Sequence, residues 1–127
     1  MSTKPTPLAL LFIAITILFT VVGQFFVKRG MMELGSSPTQ LLLLPKFIFR
    51  SFFNIYIIIW LVCGLTAAVA WAMALSRCPL NVAFPFTGLT LVLGIAITPM
   101  ALGEIVPWTR WFGVAIVCIG IWVSTLR

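Results

Sequence analysis

Charge is what this sequence has least of. Only 8% of its residues are charged; the acids are Glu33 and Glu104, and aspartate and histidine do not occur. A soluble domain carries roughly 25% charged residues, so water is excluded as the solvent for most of the surface. The three cysteines, Cys63, Cys78 and Cys118, are far apart and form no CxxC pair. With no histidine to join them, a metal centre or thiol-redox role is not expected, and small apolar packing is their default use. The long apolar runs contain no acid and no histidine. That gap weighs against proton coupling, which needs a membrane-embedded group that titrates in the working range. No catalytic triad, metal cluster or phosphate loop is visible, so neither an enzyme nor a cofactor is expected.

What the sequence does contain is apolar: 62% of it. A spanning helix needs about 20 apolar residues, and four such runs with short connections use most of the length. The expected fold is an all-α membrane protein, a single domain over 1–127 with four transmembrane helices. The first span reads from about Pro7 to Val27. Pro7 suits a first helical turn, and Lys28-Arg29-Gly30 would close the helix with cations at its negative end. This run is longer than a signal-peptide core and reads as a retained helix. The second span is about Ile55 to Leu75, with Pro79 as a stop. The third, about Val82 to Leu102, is loosened by Pro85, Gly88, Gly94 and Pro99. The last reads from about Trp111 to Thr125, which is short for a span, so its start is expected earlier, near Pro107 or Trp108.

Thr39 to Phe53 is too interrupted to cross a bilayer and too apolar for a solvated loop. A helix lying in the interface fits it, with Lys46 and Arg50 four apart and facing headgroups. The net charge of +6 would suggest nucleic acid in a soluble protein. Here the basic residues fall at span ends, where they meet lipid phosphates and set orientation, so nucleic acid is not an expected partner. Lys4, Arg77 and Arg127 fall on one side; Lys28, Arg29, Lys46, Arg50 and Arg110 fall on the other. Positive-inside counting favours termini outside.

Polar groups inside a span are costly and therefore informative. Thr16, Thr20, Gln24 and Lys28 recur every four residues along the first helix and share a face. One reading has them line a polar cavity, offering donors to an anionic headgroup. In the other, the threonines bond their own backbone, Gln24 bonds a neighbouring helix and Lys28 snorkels to the interface. Glu104 lies in the last link, where it would pair with Arg110, cap the last helix or contact substrate. Gly113 and Gly120, seven apart, offer a close-packing face for a dimer seam or an intramolecular contact. Gly64, Ala68 and Ala72 form a similar face on the second span, expected to be internal.

Several stretches carry a resemblance. They are Gly23-Gln-Phe-Phe-Val-Lys-Arg-Gly30, Ala74-Leu-Ser-Arg-Cys-Pro-Leu-Asn-Val-Ala-Phe-Pro-Phe86, Leu102-Gly-Glu104 and Arg110-Trp-Phe-Gly-Val-Ala-Ile-Val-Cys-Ile-Gly120. In order and spacing they resemble the small four-helix members of the drug/metabolite transporter superfamily, across most of the chain. Within it the small multidrug resistance exporters carry a glutamate in the first helix. Aligning Gly23 and Lys28 puts Thr20 at that place, and Thr87 lies near the position of their third-helix tryptophan. The EamA-type subunits that flip undecaprenyl-phosphate-linked aminoarabinose are more similar. They share the Gly-Gln with a following lysine, and the run matched here by Pro79, Leu80, Ala83, Phe84 and Pro85. The long first connection departs from the shortest members.

That resemblance implies a transporter of the bacterial inner membrane that moves a lipid-linked sugar or polyprenyl-phosphate-type substrate. It adds Arg29, Phe84 and Glu104 to Thr16, Thr20, Gln24 and Lys28 as candidate substrate contacts. Small members of the family pair as homodimers or heterodimers in an inverted relation that suits alternating access. The alternatives are a cation or drug exporter whose coupling acid is lost or moved, and an accessory subunit of a larger membrane complex without transport of its own.

Overall fold

A computed structural model describes residues 5–126, all in helices and short connections. Lys4 and Arg127, two of the cations used to count orientation, lie outside the described residues. The elements are α1 (Pro7–Leu34), a 3-10 turn at Leu41–Leu43, α2 (Leu44–Ser51), α3 (Ile55–Leu75), α4 (Leu80–Leu102) and α5 (Trp108–Thr125). Helices α1, α3, α4 and α5 are each long and apolar enough to cross a bilayer. Their outward faces carry exposed leucine, isoleucine, valine and phenylalanine. In water such a surface would drive aggregation; in lipid it is the normal exterior. The chain is a multi-pass membrane protein.

Helix α1 starts where the sequence says. Thr6 caps it by accepting from the Ala9 N–H at 3.2 Å, and Pro7 occupies the first turn. It does not stop at Lys28-Arg29-Gly30 but continues to Leu34. Its terminator is Gly35, at φ 84°, whose N–H reaches the Met31 carbonyl at 3.1 Å. Gly30 has a different task. A Cβ there would lie 3.0 Å from Ile57 Cδ1 and 3.1 Å from Tyr56 Cβ, so the glycine admits α3 rather than ending α1. With 28 residues, α1 is about 42 Å long and outruns a hydrocarbon core of about 30 Å.

Helix α3 runs antiparallel to α1 and packs along its length. Asn54 caps α3 by accepting from the Tyr56 N–H at 2.9 Å, and its amide donates to Glu33 Oε2 on α1 at 3.3 Å. Gly23 touches the same partner: a Cβ there would meet Cys63 Cβ and Trp60 Cδ1, each at 3.3 Å. The face of α3 that meets α1 bears the buried Ile57, Cys63, Ala67, Ala70 and Ala74. The Gly64, Ala68 and Ala72 face, expected to be internal, is exposed instead, and a Cβ on Gly64 would meet nothing within 4 Å. Both faces are rich in small residues, so composition did not distinguish them.

Helix α4 lies on the other side of α1, parallel to it, and α5 packs against α4. The spanning helices thus form an open row in the order α3, α1, α4, α5. One buried cluster ties three of them at the end where α1 begins: Ala9, Ile13, Ile17, Val21, Ala74, Cys78 and Ala83. Pro85 and Pro99 lie within α4 without interrupting it. Each lacks the N–H that would bond the carbonyl four residues earlier, which frees the Asn81 and Ile95 carbonyls from that bond. Gly103, at φ 65°, caps α4 with an N–H on the Pro99 carbonyl. The extended link to Pro107 then leads into α5, of which Val114 alone is buried.

The interfacial segment forms α2, an amphipathic helix of eight residues, and it follows the 3-10 turn. None of its residues is buried. Leu41, Leu42, Leu43, Phe49, Phe52 and Phe53 are exposed, which suits a segment immersed in the headgroup boundary.

Candidate functional site: a polar cleft between α1 and α4

Where the buried cluster ends at Val21, α1 and α4 part and leave a cleft of about 230 Å³. Its α1 wall is Val21, Gln24, Phe25 and Lys28; its α4 wall is Thr90, Gly94, Thr98 and Leu102, and Glu104 closes the mouth. Lys28 Nζ lies 3.1 Å from Glu104 Oε1, and both side chains are about half exposed (50% and 45%). Lys28 lies in the C-terminal part of α1, and Glu104 lies just past the end of α4, the helix parallel to it, so both fall at one end of the helix row. The ion pair therefore belongs to one membrane face, with Gln24 one turn deeper. Lys28 also borders a shallow surface hollow with Ser36 and Ser37, so its ammonium is reachable from the interface. Glu104 pairs with Lys28, not with Arg110 as one sequence reading had it, because the link turns back over α1 before α5 begins.

The polar stripe of α1 divides. Thr16 donates to the Phe12 carbonyl at 2.9 Å and to Ala67 of α3 at 3.4 Å, so it serves the α1–α3 contact. Thr20 is half-buried and is not among the cleft-lining residues. Gln24 and Lys28 line the cleft. Helical geometry explains the split: steps of four residues drift by about 40° each, so Thr16 and Lys28 point about 120° apart. Spacing of seven is the better guide here, and Thr16, Gly23 and Gly30 all face α3.

The remaining candidates do not join the cleft. Arg29 is exposed and is not among its lining residues. Phe84, near the start of α4, leans on Trp71 with ring centroids 6.0 Å apart. Its position puts it about 27 Å along α4 from Leu102, at the opposite membrane face. Gly113 and Gly120 are exposed, and a Cβ on either would meet nothing within 4 Å. Among the described residues, neither serves a close helix–helix approach. The glycine that brings α4 and α5 together is Gly88, where a Cβ would fall 2.9 Å from Ile121 Cδ1.

Sequence reading overlooked Thr90, Gly94 and Thr98. The four-residue spacing that singled out the α1 stripe marks them equally well. Thr98 donates to the Gly94 carbonyl at 2.6 Å, and Gly94 leaves open space where a side chain would stand. The cleft thus offers one ammonium, one carboxylate, one amide and two hydroxyls between otherwise apolar walls. A polar group entering from the interface would find hydrogen-bonding partners there, while an attached apolar chain stayed in lipid.

Fold and site together define a multi-pass membrane protein with a polar cleft at one face. The chain matches no protein-family model, no curated protein and no solved structure.

Proposed function

We propose that the chain is a small translocator of the bacterial inner membrane that moves a lipid-linked sugar or a polyprenyl-phosphate-type lipid. The observation that carries this reading is the cleft between α1 and α4, where Gln24, Lys28, Thr90 and Thr98 gather. Bringing a headgroup into a bilayer costs several kcal/mol for each unsatisfied polar group; donors inside the cleft lower that barrier. The open row of helices leaves the tail free to remain in lipid. A volume of about 230 Å³ is small for a sugar phosphate, which supports a second protomer, this chain or a related four-helix subunit, completing the cavity. The resemblance to the aminoarabinose-lipid flippase subunits points the same way.

The test is reconstitution into liposomes with a fluorescent polyprenyl phosphate, followed by dithionite quenching of the outer leaflet. The expected outcome is accelerated loss of protected fluorescence, abolished by Lys28→Ala. A rate equal to that of protein-free liposomes refutes the proposal. Glu104 favours a second reading, export of a cation or drug, because a carboxylate in the cleft can hold a cation. Efflux of a cationic dye driven by a proton gradient, and lost in Glu104→Gln, would establish that alternative.

A further inference from the structure

The pairing of Lys28 with Glu104 has a consequence for any anion that uses the cleft. We propose that Glu104 is a tethered competitor: its carboxylate occupies the anion seat at Lys28 and must leave before a phosphate-class headgroup can bind there. This rests on reading the cleft as a headgroup site. Lys28 is the one cation among the cleft-lining residues, and Glu104 the one anion. Gln24, Thr90 and Thr98 are neutral, and the Thr98 hydroxyl is already committed to the Gly94 carbonyl. An incoming phosphate therefore finds its charge-assisted contact at Lys28, the position that the Glu104 oxygen holds at 3.1 Å. A carboxylate and a phosphate present the same kind of acceptor oxygen to an ammonium.

The local structure makes the exchange easy. Both partners are about half exposed, the class of ion pair that is weakest and most open to water. Glu104 follows the left-handed Gly103 on a non-helical link, next to Ile105, which is 94% exposed. The link is anchored by little packing, so the carboxylate can swing away without unpacking a helix. In this arrangement Glu104 opposes anion binding twice, by holding the ammonium and by repelling the ligand. Removing its charge tightens binding, opposite to what a substrate-holding contact would do.

The experiment uses the full chain in detergent micelles at low salt, titrated with farnesyl phosphate and, in parallel, inorganic phosphate. Tryptophan fluorescence is the readout, since Trp108 and Trp111 lie just beyond the link. Glu104→Gln is expected to bind about three- to tenfold more tightly than wild type. Glu104→Ala, which keeps no polar group to re-form the contact, is expected to behave likewise. The gain disappears in the Lys28→Gln/Glu104→Gln double variant and shrinks at high salt. Tighter binding of either phosphate supports the competitor role; tightening confined to farnesyl phosphate assigns the seat to a lipid headgroup. If wild type binds and both Glu104 variants bind equally or more weakly, the competitor role is overturned while the translocator reading stands. If neither wild type nor the Glu104 variants bind, while circular dichroism shows them helical, the anion seat itself is refuted and the competitor falls with it.

Discussion

At the scale of the residue, glycines do work that their spacing alone does not reveal. Gly23 and Gly30 face α3 at contact distance, whereas Gly64, Gly94, Gly113 and Gly120 face open space. Gly23→Leu is expected to lower stability by about 1–3 kcal/mol, because its side chain must enter a gap where even a Cβ would lie 3.3 Å from Cys63 and Trp60. Gly64→Ala is expected to raise stability by about 1 kcal/mol through helix propensity. Thermal unfolding in detergent, followed by circular dichroism, checks both signs. Gly94→Leu tests the cleft differently. The added side chain fills open space without straining the fold, so farnesyl phosphate binding is expected to fall at least tenfold while the unfolding temperature holds. Lys28→Ala should reduce binding similarly without changing assembly, measured by size-exclusion chromatography beside the titration.

At the scale of the element, the sequence described most of the architecture. Apolar length set the spans, and the limits read for the second span match α3 from Ile55 to Leu75. Pro7 and Pro107 marked the starts of α1 and α5, whereas α4 begins at Leu80, two residues before the expected Val82, because Pro79 caps it rather than only ending the helix before it. The end of α1 was hidden because Lys28, Arg29 and Gly30 look like a cap, while the glycine that ends it is Gly35. Half of the cleft was legible, in Gln24 and Lys28; the α4 half was not, because threonines in apolar helices commonly bond their own backbone, as Thr98 does. The Lys28–Glu104 pair lay beyond sequence reasoning, since it depends on how the link after Gly103 folds back. Helix α2 was anticipated from its cations and its apolar face. Replacing both Lys46 and Arg50 by glutamine is expected to weaken its hold on anionic bilayers by about 1 kcal/mol per charge. A fluorophore on Leu42→Cys, in a Cys118→Ser background, should then be quenched less by headgroup quenchers in phosphatidylglycerol, with no change in phosphatidylcholine.

At the scale of the whole molecule, the row α3, α1, α4, α5 is unfinished at both ends. Gly64, Ala68 and Ala72 lie exposed on one flank, and Gly113 and Gly120 on the other. Lipid provides no hydrophobic drive for helices to associate, so close approach at small residues is the main means of pairing. If the α5 flank is the seam between protomers, Gly113→Leu/Gly120→Leu should shift the protein to monomer in detergent. Its own fold should be untouched, since a Cβ added at either glycine meets nothing within 4 Å among the described residues. Cross-linking through the exposed Cys118 in wild type, and its loss in the double variant, would measure this; an unchanged oligomer would move the seam elsewhere.

The five-residue strap from Gly103 to Pro107 joins α4 to α5 and also carries Glu104. Among the described residues, helix α5 packs chiefly along α4. Whatever grips α5 from the lipid side, be it a sister protein or a thicker membrane, therefore pulls on the same cord that holds the carboxylate over the lysine. If the cleft admits a headgroup as proposed, the outermost helix is a handle on its entrance, and neighbours that never touch the cleft acquire a say in when it opens.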